Sequence, residues 1–304
     1  MKKFFKILGW SLLSIILLLS VAMGTFMYKV KYGFPVSYET EKPVIQFPAN
    51  QPAILVFTKT TGFRHAESID ASIPLLKELG KTHNYFIYET ADGGVFNPEQ
   101  LKQFSLVIFD NSTGRVLNDD QQSALEKYVE EGGSLMGIHG AGDDSHRWEW
   151  YENNLLGAKF SHHPLNPQFQ QADVRMSENV DSLFSKNLMK QWSNTDEWYV
   201  FFNQPKGVTV LYSINGDKII PNGNILWTTD KNFGMGANHP VAWYREVGKG
   251  KTFYTSMGHS AAVWKNPDYL KLIEQGIAWS IQKTSPNMVI TPRAIIHFLL
   301  HNVG

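Results

Sequence analysis

Residues 53–138 alternate short apolar runs with stretches of helical spacing, and no other feature of the sequence constrains the fold as strongly. Each run is apolar almost throughout, as strands buried on both faces are. The runs are Ala53–Phe57, Tyr85–Tyr88, Leu106–Phe109 and Ser134–Ile138. The predicted helices between them span residues 66–79, 98–103 and 118–131, the last with Asn118 as a candidate N-cap. This order of elements predicts an α/β domain in which helices cover a parallel sheet.

The chain beyond residue 153 is less regular, but it returns to strands and a closing helix. Strands are predicted at 208–212, 240–244 and 251–255, and a helix at Pro267–Ile281. Three prolines interrupt the segment before the first strand, which is typical of a linker. The predicted segments are an anchor or signal peptide at 1–28, a linker at 29–50, one domain at 51–283 and a tail at 284–304.

The N-terminal segment predicts contact with a membrane. Ile7–Met27 contains no charged residue and follows lysines at positions 2, 3 and 6. About 20 apolar residues cross about 30 Å of hydrocarbon as a helix, and the preceding lysines favour an inside N-terminus. A cleaved signal peptide ending near Ala22–Gly24 is the alternative. We favour a single-pass anchor with the domain outside the cytoplasm. Cleavage would instead give a secreted or periplasmic protein.

Composition excludes several classes of function. The 28 basic and 28 acidic side chains cancel, so no excess of positive charge points to nucleic acid. The sequence contains no cysteine, which excludes disulfides, thiolate metal sites and a cysteine nucleophile. The chemistry must therefore come from other side chains.

Several histidine-containing motifs occur in loops that follow predicted strands. In order along the chain, the motifs are TTGFRH (60–65), GGSLMGIHGAG (132–142), HHP (162–164), DEWY (196–199) and HPVAWYREVGKGKTFYTSMGH (239–259). Each motif is weak alone, but the ordered set resembles the ThuA-like (trehalose utilisation) family over most of residues 52–282. The resemblance implies a fold like that of class I glutamine amidotransferases, a flavodoxin-like three-layer sandwich with a mostly parallel central sheet. It also implies a role with sugars, because family members recur beside proteins that act on oxidised sugars.

The turn after the fourth strand places His139 where amidotransferases and α/β hydrolases carry a nucleophile. A glutaminase thioester cannot form without cysteine, so the shared fold does not imply that activity. An imidazole at this turn can act as a general acid or base or as a metal ligand. We predict His139 as a catalytic residue.

Two further residues are predicted to be catalytic. His65 follows the loop after the first strand, and the loops after parallel strands gather at one edge of a sheet, so His65 and His139 are expected to share a cleft. Glu197 of the DEWY motif is the expected carboxylate partner of a histidine, whereas its neighbour Asp196 is interpreted as a turn residue.

Six more residues are predicted to contact the substrate, and four of them have an alternative interpretation. Arg64 holds a ligand or pairs on the surface, and Trp148 lines a sugar-sized cleft or belongs to a solvated loop. The histidines before prolines bind substrate or cap turns. The six are Arg64, Asp110, Trp148, His163, His239 and His259.

The sequence leaves the cofactor and the reaction open. Three or four histidines with a carboxylate suit a divalent transition metal such as Zn²⁺, but a metal-free acid–base site fits the same residues. The favoured function is an enzyme that isomerises, hydrolyses or cleaves a carbohydrate or keto-glycoside. The alternatives are a non-catalytic module that binds carbohydrate or a partner, and a scaffold that assembles other proteins.

Overall fold

The computed structural model describes residues 2–32, 37–225 and 230–282, so the predicted tail at 284–304 lies outside the described residues. The helices are α1 (Lys2–Tyr32), α2 (Ala66–His83), α3 (Pro98–Leu101), α4 (Asp119–Glu130), α5 (Glu149–Tyr151), α6 (Ser182–Asn187) and α7 (Pro267–Ile281). The strands are β1 (Ala53–Phe57), β2 (Phe86–Thr90), β3 (Phe104–Asp110), β4 (Ser134–Ile138), β5 (Phe160–His162), β6 (Gln170–Met176), β7 (Gln191–Asp196), β8 (Val200–Phe201), β9 (Thr209–Ile214), β10 (His239–Val247) and β11 (Gly250–Thr255).

Within the described residues, nine strands form one sheet in the order β2-β1-β3-β4-β11-β10-β9-β6-β7. In this order, the first five strands (β2, β1, β3, β4 and β11) pair in parallel with their neighbours. From β11 onward, each strand is antiparallel to the next. The predicted α/β fold with a large parallel sheet is therefore confirmed. Strands β5 and β8 form a separate antiparallel pair.

Apolar layers cover both faces of the sheet because its central strands are buried on both sides. Along β1, Ile54 and Val56 pack into one core, and Leu55 and Phe57 pack into the other. The first core also contains residues of α2 and α7, and the second contains residues of α3 and α4. Helices thus lie on both faces of the sheet, as the predicted three-layer sandwich requires.

The helix ends follow local signals that are visible in the sequence. Asn118 caps α4 through a capping box with Gln121, as the sequence predicted for the N-cap. Helix α7 spans the predicted residues, with Pro267 in its first turn and Asn266 accepting from the backbone N–H of Asp268. These caps fix where α4 and α7 begin.

The N-terminal helix α1 extends to Tyr32, four residues beyond the predicted end of the anchor at residue 28. Among the described residues, α1 alone is long and apolar enough to cross a membrane, with a mean hydropathy of 2.2 over an 18-residue window within Lys2–Lys29. Its side chains are not buried against the domain in that span. Length and composition thus permit a membrane span.

Candidate active site

His139 lies immediately after β4, at a turn that holds it in a left-handed conformation with φ of 44°. A non-glycine residue seldom adopts this conformation, and such strain is concentrated at functional turns. The side chain is fully buried. Its Nδ1 atom lies 2.7 Å from the carbonyl oxygen of Ser256, and because a carbonyl can only accept, Nδ1 is the donor. In the neutral ring, Nε2 is then left with a free lone pair.

Three histidines and a carboxylate meet around this lone pair: His65, His139, His259 and Glu197. Nε2 of His139 lies 3.0 Å from Nδ1 of His259 and 3.4 Å from Oε2 of Glu197. Nδ1 of His259 lies 3.1 Å from the same carboxylate oxygen. The ring of His65 has its centroid 4.8 Å from each of the other two rings. The structure therefore brings together the three predicted catalytic residues and adds His259.

Glycine at position 140 allows His65 to approach the turn after β4. A Cβ atom at Gly140 would lie 2.9 Å from the Cε1 and Nδ1 atoms of the His65 ring, closer than van der Waals contact permits. His65 ends the loop after β1 and begins α2, where its carbonyl accepts from the backbone N–H of Ile69. The absence of a side chain at Gly140 therefore lets two loops from different strands meet.

Asp196 holds the other two members of the cluster in place. Its buried carboxylate accepts hydrogen bonds from the backbone N–H groups of Gly258, at 2.7 Å, and of His259, at 3.2 Å. It also accepts from the N–H of Glu197 at 2.9 Å. Asp196 therefore does more than form a turn, the role that the sequence suggested, because it ties the end of β7 to the loop after β11.

The two oxygens of Glu197 have different partners. Oε2 faces the cluster, whereas Oε1 accepts from Nε2 of Gln168 at 2.6 Å and lies 2.9 Å from Nδ1 of His163. Burial would raise the pKa of Glu197, but hydrogen bonds with the surrounding histidines hold it well below its usual range. The carboxylate is thus ionised at the centre of the site.

Burial lowers the pKa of a histidine unless a nearby carboxylate offsets it, and His65 and His163 show the two cases. Burial and the nearby charges of His139 and His259 lower the pKa of His65 well below its usual range. For His163, burial is outweighed by the hydrogen bond with Glu197, which raises its pKa. The site therefore combines a neutral imidazole at His65 with an imidazole at His163 that takes up a proton more readily.

A cavity of about 770 Å³ opens above the cluster. Its floor includes His65, Glu197 and His259, and His163 lies in its wall. Its volume falls in the range of small-molecule sites. The apolar part of the lining includes Phe63, Phe160, Leu165, Tyr199 and Ile225, and the end of α1 contributes Gly24, Met27, Tyr28 and Lys31.

Four of the predicted substrate-binding residues lie outside this lining and make contacts within the protein. Arg64 donates to the carbonyl of Thr58. Asp110 is buried, which raises its pKa to about 6, and it accepts a hydrogen bond from Ser72. The other two are Trp148, which donates to the carboxylate of Glu126, and His239, which donates to the carbonyl of Tyr199. Their contact with a substrate stays a prediction.

Sequence reasoning did not identify Tyr199 and Gln168 as parts of the site. The ring of Tyr199 packs against that of His139 at a tilt of 43°, with ring centroids 4.3 Å apart, and burial raises the pKa of Tyr199 well above the usual range. Tyr199 is the last residue of the DEWY motif, so its position two residues after Glu197 could have indicated that it belongs to the site. Gln168 lies in a loop outside the motifs, and no sequence pattern points to it.

Comparison with known proteins gives a family and a fold. The sequence model of the family described as ThuA, trehalose utilisation, matches residues 53–280. A crystal structure of a ThuA-like protein from Bacteroides uniformis ATCC 8492 is similar, with 21% identity, a TM-score of 0.62 and coverage of 82% of this chain and 95% of that chain. A ThuA-like protein from Parabacteroides merdae ATCC 43184 shows 17% identity and a TM-score of 0.59, covering 79% and 93%. At these identities the likeness establishes the fold alone. No curated protein matches the chain.

Proposed function

Because the chain belongs to the ThuA (trehalose utilisation) family, we propose that it is a membrane-tethered enzyme that acts on oxidised carbohydrates, in particular keto-glycosides. The observation that carries this proposal is the cluster of His65, His139 and His259 around the ionised Glu197, at the floor of a cavity large enough for a disaccharide. Buried groups that accept and donate protons beside a cavity are typical of acid–base catalysis.

The proposed reaction starts with removal of a proton from a carbon next to the keto group. The C–H bond breaks, its proton passes to a base on the protein, and the electron pair moves to the keto oxygen to form an enolate. The sugar isomerises when the proton returns to the former carbonyl carbon and the hydroxyl proton of the adjacent carbon moves to the former keto oxygen, so that the carbonyl shifts by one carbon. Departure of a substituent from the adjacent carbon completes an elimination instead. Both outcomes need a base and a group that stabilises the negative oxygen.

His163 is the proposed base. Its Nδ1 atom lies 2.9 Å from Glu197 and therefore carries the proton, which leaves Nε2 to accept one from the substrate. Glu197 orients this ring as a carboxylate does in many histidine-dependent enzymes. His163 lines the cavity, and its side chain is 32% exposed, so a substrate can reach it. The cluster of His65, His139 and His259 then faces the developing enolate.

The tether is supported by the position of α1. About 20 residues cross the hydrocarbon, so Lys29 and Lys31 would lie among the lipid head groups at the outer surface. Met27 and Tyr28 from the same turns line the cavity, so the proposed substrate would enter close to the membrane surface. Removal of α1 as a signal peptide would open this wall of the cavity to water.

The alternative is a module that binds carbohydrate or a partner without turnover. The apolar cavity lining suits either a bound sugar face or an enzyme substrate. An enzyme converts its ligand and loses this activity when the base is removed, whereas a binding module leaves its ligand unchanged. Saturable binding by the unaltered protein, with the ligand recovered unchanged and an affinity that H163Q does not alter, would favour the module.

The test uses the full-length protein in detergent micelles, incubated with 3-keto-trehalose and, as the matched control, with trehalose. We expect the keto sugar to be converted and trehalose to be recovered unchanged, because only the former has acidic protons next to a carbonyl. Replacement of the exposed His83 by glutamine is the control variant and should leave turnover unaltered. Recovery of unchanged keto-glycosides, with and without added divalent ions, would contradict the proposal.

A further inference from the structure

We propose that His65, His139, His259 and Glu197 bind one divalent transition metal ion, such as Zn²⁺, Fe²⁺ or Mn²⁺. Each residue offers one ligand atom, and these four atoms lie within 4.8 Å of one another. The three contacts among His139, His259 and Glu197 measure 3.0, 3.1 and 3.4 Å. Ligands that lie about 2.0–2.1 Å from a tetrahedral ion are separated by about 3.3 Å. The contacts among His139, His259 and Glu197 therefore match the spacing of ligands around a shared ion, and the ring of His65 borders the same point.

Hydrogen bonds alone explain this cluster poorly. Nδ1 of His259 lies within 3.1 Å of both Nε2 of His139 and Oε2 of Glu197, yet an imidazole Nδ1 carries at most one proton. That proton can point at one of the two atoms and leaves the other contact unexplained. A cation between the three atoms satisfies all of their lone pairs at once.

His65 supplies a second, independent observation. Its side chain is 7% exposed, and its buried Nδ1 atom has no hydrogen-bond partner within the described structure. A buried polar atom without a partner destabilises a protein, so each case calls for an explanation. Coordination of His65 to an ion at the centre of the cluster gives this histidine the polar partner that the protein does not supply.

The surroundings of the cluster resemble the outer shell of a metal centre. The carbonyl of Ser256 accepts from Nδ1 of His139 and so fixes the tautomer that presents Nε2. Gln168 and His163 engage Oε1 of Glu197, which leaves Oε2 for the ion. Metal-ligating histidines and carboxylates are usually held by partners of this kind.

The ligand chemistry restricts the class of metal. Three imidazoles and one carboxylate suit first-row divalent ions, whereas Mg²⁺ and Ca²⁺ prefer sets made of oxygen atoms. The charge of Glu197 offsets part of the charge of the ion within the buried site. The cavity meets the cluster at His65 and His259, so an ion there would be open to a substrate oxygen.

This inference depends on the geometry of the cluster and holds whatever the substrate is. An ion there would polarise the keto oxygen in the proposed reaction, while His163, which is not a ligand, stays available as the base. A protein that binds the ion but leaves keto-glycosides unchanged would support the metal site and contradict the proposed function. A protein that converts keto-glycosides but binds no ion would contradict the metal site alone.

The experiment is a titration of the chelator-treated, full-length protein with Zn²⁺ in detergent micelles, followed by calorimetry. We expect one ion to bind per chain with high affinity and to raise the melting temperature. Co²⁺ at the same site should give visible absorption bands typical of nitrogen and oxygen ligands. A melting temperature that does not respond to Zn²⁺, with no saturable binding, would overturn the proposal.

The sharpest variant is H65Q, because the buried Nδ1 of His65 makes no hydrogen bond whose loss would unfold the protein. We expect its affinity for Zn²⁺ to fall by more than the roughly 10- to 100-fold that removal of an outer-shell partner causes. The E197Q variant should show the same loss. Circular dichroism establishes whether each variant is folded.

Two controls separate the cluster from other histidines. His83 is paired with Glu274 at 3.0 Å outside the site, and H83Q should bind Zn²⁺ as the unaltered chain does. His297 and His301 are the two histidines that lie outside the described residues. The double variant H297Q/H301Q should therefore keep the tight site. Equal affinity of H65Q and the unaltered chain would contradict the inference.

Discussion

The Nδ1 atom of His163 lies 2.9 Å from Oε1 of Glu197, whereas Nδ1 of His259 lies 3.1 Å from Oε2 of the same carboxylate. One carboxylate thus links two different environments. The Oε1 side faces a partly exposed histidine in the cavity wall, and the Oε2 side faces the buried cluster. In the proposed reaction, the first side would transfer the proton, and a metal ion held at the second side would stabilise the developing negative charge.

The H163Q substitution tests this division. It should lower kcat for keto-glycosides by about 10²- to 10⁴-fold, the range for loss of a general base, because glutamine cannot take up the proton. Zn²⁺ affinity should fall by no more than the roughly 10- to 100-fold that loss of an outer-shell partner causes, since His163 contacts Oε1 of Glu197 and is not a ligand itself. Steady-state kinetics and calorimetry on the same preparation give both values. Unchanged kcat would refute the assignment of His163 as the base.

The G140A substitution tests whether the close approach of His65 matters. The added Cβ would lie 2.9 Å from the His65 ring, so the ring must move away from the cluster. We expect weaker Zn²⁺ binding and a loss of about 1–3 kcal/mol in the free energy of unfolding, as overpacking typically causes. At Gly234, where the nearest atom is 3.6 Å away, the matched G234A substitution should have little effect on either quantity. Similar values for the two variants would argue against this role.

The D196N substitution tests the anchoring of the loop after β11. An amide in place of the carboxylate presents a donor to backbone N–H groups that need an acceptor, so the free energy of unfolding should fall by about 1–3 kcal/mol. Metal affinity should fall with it, because His259 loses its support. D173N is the control, since the side chain of Asp173 is half exposed on the surface. Chemical denaturation compares the free energies of unfolding of D196N and D173N, and calorimetry with Zn²⁺ compares their metal affinities. Equal stability of the two variants would contradict the prediction.

Acid stability should depend on His239. Burial lowers its pKa to about 4, below the ordinary value of 6.5, so the folded state favours the neutral ring. This contribution to stability is fully present above pH 6.5 and is lost as the pH falls towards 4, by about 3 kcal/mol. H239Q can still donate to the carbonyl of Tyr199 but cannot be protonated. Urea denaturation at pH 7 and pH 4 should therefore show a smaller loss for the variant, and an identical loss would contradict the assignment.

The sequence predicted the parallel half of the fold well because its central strands β1, β3 and β4 are buried on both faces and read as continuous apolar runs. In the antiparallel half it predicted β9, β10 and β11 but not β6 or β7. In β7 the buried positions alternate, but they include Asn194 and Asp196, so the strand does not show an alternation of apolar residues. The buried polar groups are satisfied by neighbouring loops, which a single sequence does not reveal.

The candidate site was predictable in part for a similar reason. His65, His139 and Glu197 follow strands, and the rule that the ends of parallel strands share an edge brings the first two together. The rule does not apply to residues of the antiparallel half. His259 was therefore predicted only as a substrate contact, and Gln168, which reaches Glu197 from an irregular loop, was not predicted.

Exchange of substrate protons with solvent tests the proposed chemistry most directly. The full-length protein is incubated with 3-keto-trehalose in D₂O, and the protons on the carbons next to the keto group are followed by NMR, with an enzyme-free sample as the control. Deuterium should replace a proton at one of these carbons at least about 100-fold faster with the unaltered protein than with H163Q. Exchange no faster than in the enzyme-free sample would contradict proton abstraction by this site.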